Sequence, residues 1–389
     1  MVTMNSADKA LKTLYLGVVA EQLNTEVNPL LSKIKQTTTD VWGKEVRRLV
    51  KYGVNGGVGA GDEEGDLPSS AGNNYEQIVT TLKNLYGTIE ISDKAVRASE
   101  NDAGAFVNLL NAEMEGLVKA SSFNFGRMLY GDGSGTLGYA MAVMGNDIAV
   151  SDSQYFFEGM VIDILSPSGE DMDANGRRIV SVNKKGNIIT VNGTSLAGKG
   201  IDEGCIITVQ GSYNKEITGL GAIFGTSDTL YGLDREKHSW LNPLSVACGG
   251  EISETVIQEA IDTLDDEHGS KVNFIVCSSG VKRAFQKHLS AYKRNLDVME
   301  LNGGYKALSY NGIPIISDRF CPKGTMYLLN TDDFALHQLC DWKWLEDENG
   351  KVLRQKAGKA TYTATLVKYA ELVCSRPCGQ AIIEGIVES

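Results

Sequence analysis

Chemistry in this 389-residue chain can be sought at one cysteine with two candidate histidine partners, one pair of closely spaced cysteines and two glycine-rich turns. Cys277 would be a nucleophile if His288 or His337 took its proton, because the thiolate attacks and the thiol does not. Yet Cys277 closes the apolar run 272–277, where a cysteine usually serves as a small buried hydrophobe. Cys374 and Cys378 are spaced like half of a zinc site, but no second half lies nearby. His238, His268, His288 and His337 do not pair with one another at a ligand spacing. The glycine-rich run 53–65 lacks the Gly-Lys-Ser/Thr ending of a phosphate loop. It also carries Asp62, Glu63 and Glu64, which would repel a phosphate. The Gly-Asp-Gly-Ser-Gly run at 131–135 follows a helix rather than a strand, so it reads as a helix-ending turn. Asp262, Asp265, Asp266 and Glu267 make an acidic helix end of the kind usually found solvated. No catalytic, cofactor-binding or metal-binding residue is assigned, and no cofactor is expected.

The elements that would have to position such residues come in several units. At this length more than one core is expected. The formal charge of −12 leaves no cationic footprint for sequence-specific nucleic-acid binding. An acidic wall can still enclose a nucleic acid without gripping it. No apolar run approaches the roughly 20 residues that span a bilayer, and the N-terminal segment lacks the order of a signal peptide. Seven cysteines at scattered spacing make a disulfide framework improbable and point to a reducing compartment.

Helical spacing of Leu11, Leu14, Leu16, Val18, Leu23, Val27 and Leu30 predicts an amphipathic arm over residues 1–40, broken at Pro29. Residues 45–52 and 77–91 read as strands flanking a long Gly-, Ser- and acid-rich tip, an extended hairpin that needs a neighbour to lie on. Residues 102–130 form the clearest helix, capped by Asn101 or Asp102 and stopped by Gly131. Short strands at 160–165, 178–182, 187–191 and 205–210 predict a small barrel or sandwich over 152–218. Ser253 caps a helix with apolar positions Val256, Ile257, Ala260, Ile261 and Leu264, and Gly269 stops it. Asn311-Gly312 between Tyr310 and Ile313 is a strong hairpin signal. Trp342 and Trp344 read as a half-buried strand or an interface anchor. Residues 358–377 and 381–386 supply long closing strands.

The runs VNFIVCSSGVKRAFQKHL from residue 272, YNGIPIISDRFCPKGTMYLLNTDDFALHQLCDW from 310 and TYTATLVKYAELVCSRPCGQAIIEGI from 361 resemble, in wording and order, the major capsid proteins of tailed phages (the Hong Kong 97-like fold). The resemblance covers residues 40 to 389. It implies an α+β fold with an N-terminal arm (1–44), an extended β-hairpin loop (45–92) and a peripheral domain with a long spine helix (93–151). An inserted small β-barrel-like domain (152–218), a return to the peripheral domain (219–249), an axial domain (250–342) and final peripheral-domain strands (343–389) follow.

The function implied is a virion structural protein, not an enzyme: a homo-oligomer of hexamers and pentamers that tiles an icosahedral shell around double-stranded DNA, assembled in the host cytoplasm. A scaffolding protein, a portal and a decoration protein are the implied partners, with no membrane. Some members of the family form Lys–Asn crosslinks, for which Lys51 or Lys83 are candidates. Candidate assembly contacts are Asp62, Glu63 and Glu64 at the hairpin tip, and Lys293, Arg294, Asp297 and Glu300 in a loop near the capsomer axis. The alternatives are an encapsulin-like nanocompartment shell enclosing cargo enzymes and, from another class, an α/β hydrolase dependent on a cysteine or a carboxylate.

Overall fold

The computed structural model describes residues 28–93, 103–292, 298–301, 305–346, 348 and 350–388. The expected arm helix, the caps Asn101 and Asp102, and Lys293, Arg294 and Asp297 lie outside them. Leu30 and Leu31, from the end of the expected arm, sit buried in a short turn rather than in a helix.

The chain is α+β, with two large sheets, two small ones and a barrel among the described residues. The first sheet has five strands: β1 (Lys35–Thr37), β20 (Phe334–Trp344), β22 (Thr361–Cys374) and β21 (Arg354–Gln355) in that order, with β5 (Lys83–Ser92) also on β22. Ala364, Leu366, Ala370 and Leu372 of β22 are buried in a common core with Met114, Val118 and Phe125 of helix α1 (Ala103–Met128). At ~1.5 Å per residue this helix runs roughly 40 Å. Two glycines allow its close approach. A Cβ on Gly87 would lie 2.9 Å from Leu117, and one on Gly126 would lie 2.5 Å from the Phe320 ring. Lys368, on the same buried side, is matched by Asp341 at 2.6 Å and Gln338 at 2.7 Å and lies over the Phe125 ring.

The barrel is closed by β6 (Thr136–Met144), β7 (Asp147–Val150), β10 (Ile188–Val191), β9 (Arg177–Asn183), β8 (Val161–Leu165) and β11 (Ile206–Val209) in ring order. The expected boundary at 152 therefore falls too late, because β6 and β7 are barrel staves. Gly138, Ala140 and Ala142 gave β6 a weak strand signal. Tyr155 donates to the Phe320 carbonyl at 2.9 Å, and Lys323 pairs with Asp152 at 2.9 Å, so the barrel is pinned to the body.

The second sheet has seven strands in the order β14 (Leu244–Ala247), β23 (Ala381–Glu384), β19 (Met326–Leu329), β15 (Phe274–Cys277), β18 (Ile313–Ser317), β17 (Tyr305–Tyr310) and β16 (Val298–Leu301). Two helices, α3 (Glu254–His268) and α4 (Ser279–Tyr292), share its core through Ile257, Leu264, Val281 and Phe285. Ser253 accepts from the Val256 amide at 3.4 Å, and Gly269 ends α3 in the left-handed conformation, both as expected. Asn311 and Gly312 have φ of 49° and 79° and turn the β17–β18 hairpin. Of the lesser elements, β12 (Thr229–Leu230) pairs with β13 (Leu233–Asp234), α2 (Leu220–Ile223) is a single turn, and β2 (Val41–Trp42), β3 (Glu45–Tyr52) and β4 (Asn74–Thr81) form a three-stranded sheet.

Three expected boundaries are corrected by the pairing. The stretch 77–91 is two strands, and its second half, β5, belongs to the five-stranded sheet rather than to the hairpin. Strand β20 leaves the axial unit for the same sheet, whereas β23 leaves the closing strands for the seven-stranded one. The chain thus crosses directly between the two large sheets twice, and these crossings are braced together. The Asp333 carboxylate accepts from Arg376 Nε at 3.1 Å and from Gln380 Nε2 at 3.0 Å, while Gln380 Oε1 accepts from the Asn330 amide at 2.8 Å. Asp333→Ala strands two donors and should cost about 2–3 kcal/mol. Urea unfolding of the free subunit checks this, with Asp333→Asn expected to fall between the two.

Candidate assembly interface

Strands β3 and β4 pair over their full length, from Glu45 opposite Thr81 to Tyr52 opposite Asn74. Directly opposed residues share a face, and alternate residues change face. One face is inward. Val46 and Ile78 are fully buried, and Tyr52 stacks on Trp240 with ring centroids 5.8 Å apart. The other face points to solvent and carries Trp42, Leu49, Tyr75 and Val79, with Leu49 66% and Trp42 71% exposed. Arg47 and Lys51 flank this apolar strip, Arg47 paired with Glu45 at 2.9 Å. Four large apolar side chains on one solvent-facing side are more than a scattered surface hydrophobe.

Beyond the ladder, residues 53–73 form no regular strand. Asp62, Glu63 and Glu64 are all exposed, at a turn that the Gly65 amide closes onto the Asp62 carbonyl at 3.1 Å. Val58 and Leu67 stand 89% and 91% exposed on the same tip.

Directly after β4 the chain enters the wall of a cleft of about 600 Å³ between β5, α1 and the barrel exit. Leu82, Phe125, Met128 and Trp342 supply its apolar lining, and Lys83, Lys215, Asn84 and Asn124 its polar lining. Glu216, also in the lining, is matched by the buried Arg127, whose guanidinium also donates to Asn124 at 2.8 Å. Close by, Glu371 is fully buried and receives the Thr218 amide at 2.7 Å, while its other oxygen has no partner among the described residues. Burial pushes its carboxyl up to about 7, against the opposing effect of the Thr218 amide and the Lys83 charge.

Among the candidate contacts, the tip acids are exposed and together. Glu300 lies on β16, opposite Lys306, rather than in a loop. Of the crosslink candidates, Lys51 is exposed on the outer hairpin face and Lys83 lines the cleft. The cleft and the apolar outer face were missed by sequence reasoning. The alternation of Leu49 with Arg47 and Lys51 was visible, but nothing in it tells which face meets the body.

The cysteine form of the hydrolase alternative finds no nucleophile–base pair among the described residues. Cys277 is buried in β15 with its sulfur 3.8 Å from the Ile316 carbonyl, and burial pushes its thiol up to about 12, the reverse of a nucleophile's need. His337 lies in the other sheet with Nδ1 3.0 Å from the Thr39 carbonyl, and burial keeps it below the ordinary histidine value. His288 stacks on Phe285. Burial likewise raises Cys374 and Cys378. Among the described residues no cluster of three metal-ligating side chains occurs, and no helix is long and apolar enough to cross a membrane.

The sequence matches no family profile and no curated protein. Solved structures do match. The capsid asymmetric unit of cyanophage A-1(L) superposes with a TM-score of 0.57 at 13% identity, covering 92% of this chain and 93% of that one. The capsid of a native GTA particle superposes with a TM-score of 0.50 at 11% identity, covering 94% and 91%. The SrpI encapsulin of Synechococcus elongatus covers 95% of each chain at 11% identity, but its TM-score of 0.46 is too loose to carry weight. The fold of this chain is therefore that of phage capsid proteins.

Two measurements check the site. The folded value of Glu371 lies above the ordinary 4.5, so its contribution to stability is full at low pH and is lost as pH rises through about 7. Glu371→Gln should remove about 2 kcal/mol of the stability lost between pH 5 and 8, read as urea midpoints of both proteins at both pH values. Native thiol labelling at pH 8 should mark half-buried Cys248 and Cys340 and spare the five buried cysteines, Cys277 among them.

Proposed function

We propose that this chain is a major capsid protein: copies associate as hexamers and pentamers that tile an icosahedral shell around double-stranded phage DNA. The observation that carries the reading is the fold shared with the cyanophage A-1(L) capsid chain over more than nine-tenths of both chains. In this reading the β3–β4 hairpin is the extended loop, α1 the spine helix and the barrel an inserted domain. The seven-stranded sheet with α3 and α4 is the axial domain. The exposed apolar side chains on the hairpin support the reading, because none of the described residues covers them. The charge of −12 suits a wall that encloses DNA without adhering to it. A scaffolding protein, a portal and a decoration protein are the expected partners, the virion is the expected location, and no catalysed reaction is assigned.

Purified protein, co-expressed with the scaffold of its own genome, should sediment as capsomers or as megadalton shells, and packaged shells should hold nuclease-protected DNA. A compact monomer under all these conditions sinks the reading, and shells filled with enzyme instead of DNA would make it a nanocompartment. Deleting residues 56–72 should leave the melting temperature of the free subunit near wild type, since the tip buries little, and should cut particle yield sharply. Normal yield would show the tip to be a tolerated loop.

A further inference from the structure

The segment after β23 closes over the start of helix α4. Ile386 is buried in the α3–α4 core and its amide donates to the Gly324 carbonyl at 3.0 Å, while the Val387 amide donates to the Gly250 carbonyl at 2.9 Å. Glu388 then reaches the turn between β15 and α4. Its Oε1 accepts from the Gly324 amide at 2.9 Å and from the hydroxyl of Ser278, which is only 5% exposed. The same Ser278 oxygen accepts from the Val281 amide at 3.3 Å, so Ser278 caps α4 without help and nothing in the helix requires Glu388. The other carboxylate oxygen stands where a side chain on Gly280 would be. A Cβ there would lie 2.7 Å from Glu388 Cβ and closer still to the carboxylate. The carboxylate thus rests against the first turn of a 14-residue helix, where unpaired amides and the helix dipole favour negative charge. A buried hydroxyl, an amide from a separate loop and a missing side chain together make a built seat for it.

We infer that the start of α4, with the Ser278 hydroxyl and the Gly324 amide, is a carboxylate-binding site that the chain's own Glu388 occupies, and that a small free carboxylate takes the site when residues 387–388 lift. Val387 is exposed and Glu388 half-buried, so only these two residues have to move while Ile386 stays anchored. One carboxylate replaces another, and the hydrogen bonds of Ser278 and Gly324 pass to the newcomer. Glu388 is tethered two residues from its anchor and so competes at a high effective concentration. A free carboxylate therefore binds the intact chain weakly and a chain without Glu388 well. The site lies within one chain and does not depend on assembly.

The probe is acetate, titrated against the free full-length subunit, with sodium chloride at matched ionic strength as the control. In Glu388→Ala the melting temperature should rise saturably, by about 2 °C at roughly tenfold excess over a dissociation constant on the order of 10 mM. Wild type and Glu388→Gln, whose seats stay filled, should move by less than about 0.5 °C. Adding Ser278→Ala to Glu388→Ala should abolish the rise. A second measurement needs no ligand. Gly280→Ala should lower the melting temperature of the wild type more than that of Glu388→Ala, because in the latter the new methyl group no longer meets a carboxylate. An equal acetate response in wild type and Glu388→Ala, no response in Glu388→Ala, or an equal cost of Gly280→Ala in both would overturn the site. None of these results bears on whether the chain forms particles.

Discussion

Everything in this fold depends on the chain passing twice between two sheets at one braced corner. Strand β19 ends in the seven-stranded sheet and β20 begins in the five-stranded one. Strand β22 ends in the five-stranded sheet and β23 returns to the seven-stranded one. Both crossings are tight single turns of 3₁₀ helix, Thr331–Asp333 and Pro377–Gly379, and backbone groups at such turns must find partners off the ladder. Gln380 supplies two of them, accepting from the Asn330 amide at 2.8 Å and donating to the Arg376 carbonyl at 3.2 Å, while the Asp333 carboxylate ties the Arg376 and Gln380 side chains together. Burial tends to raise the Asp333 carboxyl and Arg376 opposes it, the balance expected of a half-buried brace. With the corner fixed, the α1 core and the α3–α4 core become one body, and the barrel and hairpin are appendages set at defined places on it.

Those appendages present what the body has no use for. The hairpin spends Val46, Ile78 and Tyr52 on holding its root against the body and leaves Trp42, Leu49 and Val79 in water. Exposing that strip is unfavourable for an isolated chain and favourable for one that covers it with a copy of itself. The titratable groups tell the same story from inside. Burial raises the Cys277 thiol and lowers His337, favouring the neutral form of each, and the two residues lie in different sheets, so they form no nucleophile–base pair.

Local signals were legible in the sequence and partner choice was not. Ser253 and Gly269 bounded α3, Asn311-Gly312 turned its hairpin, and four of the six barrel staves followed from short β-prone runs between turns, because each depends on residues within one turn of itself. Strand β6 was missed because Gly138, Ala140 and Ala142 pack tightly without advertising a strand. The assignment of β20 and β23 to their sheets was missed because each reads equally well as a strand of either sheet. The cleft is built from β5, α1, β20 and the barrel exit, segments far apart in the chain, and no local pattern announces such a meeting. The tip acids were visible as a run; the placing of Lys83 and Lys215 in one cleft lining became visible only with the fold.

The claim that this chain exists to contact copies of itself is tested most directly by a three-dimensional reconstruction of its assembled particle. The account predicts a closed shell in which Leu49 and Val79 on the outer hairpin face are covered by an adjacent subunit, with the five- and seven-stranded sheets unchanged inside each copy. A shell in which the hairpin stands free in solvent, or a preparation that yields only separate compact chains, would contradict it.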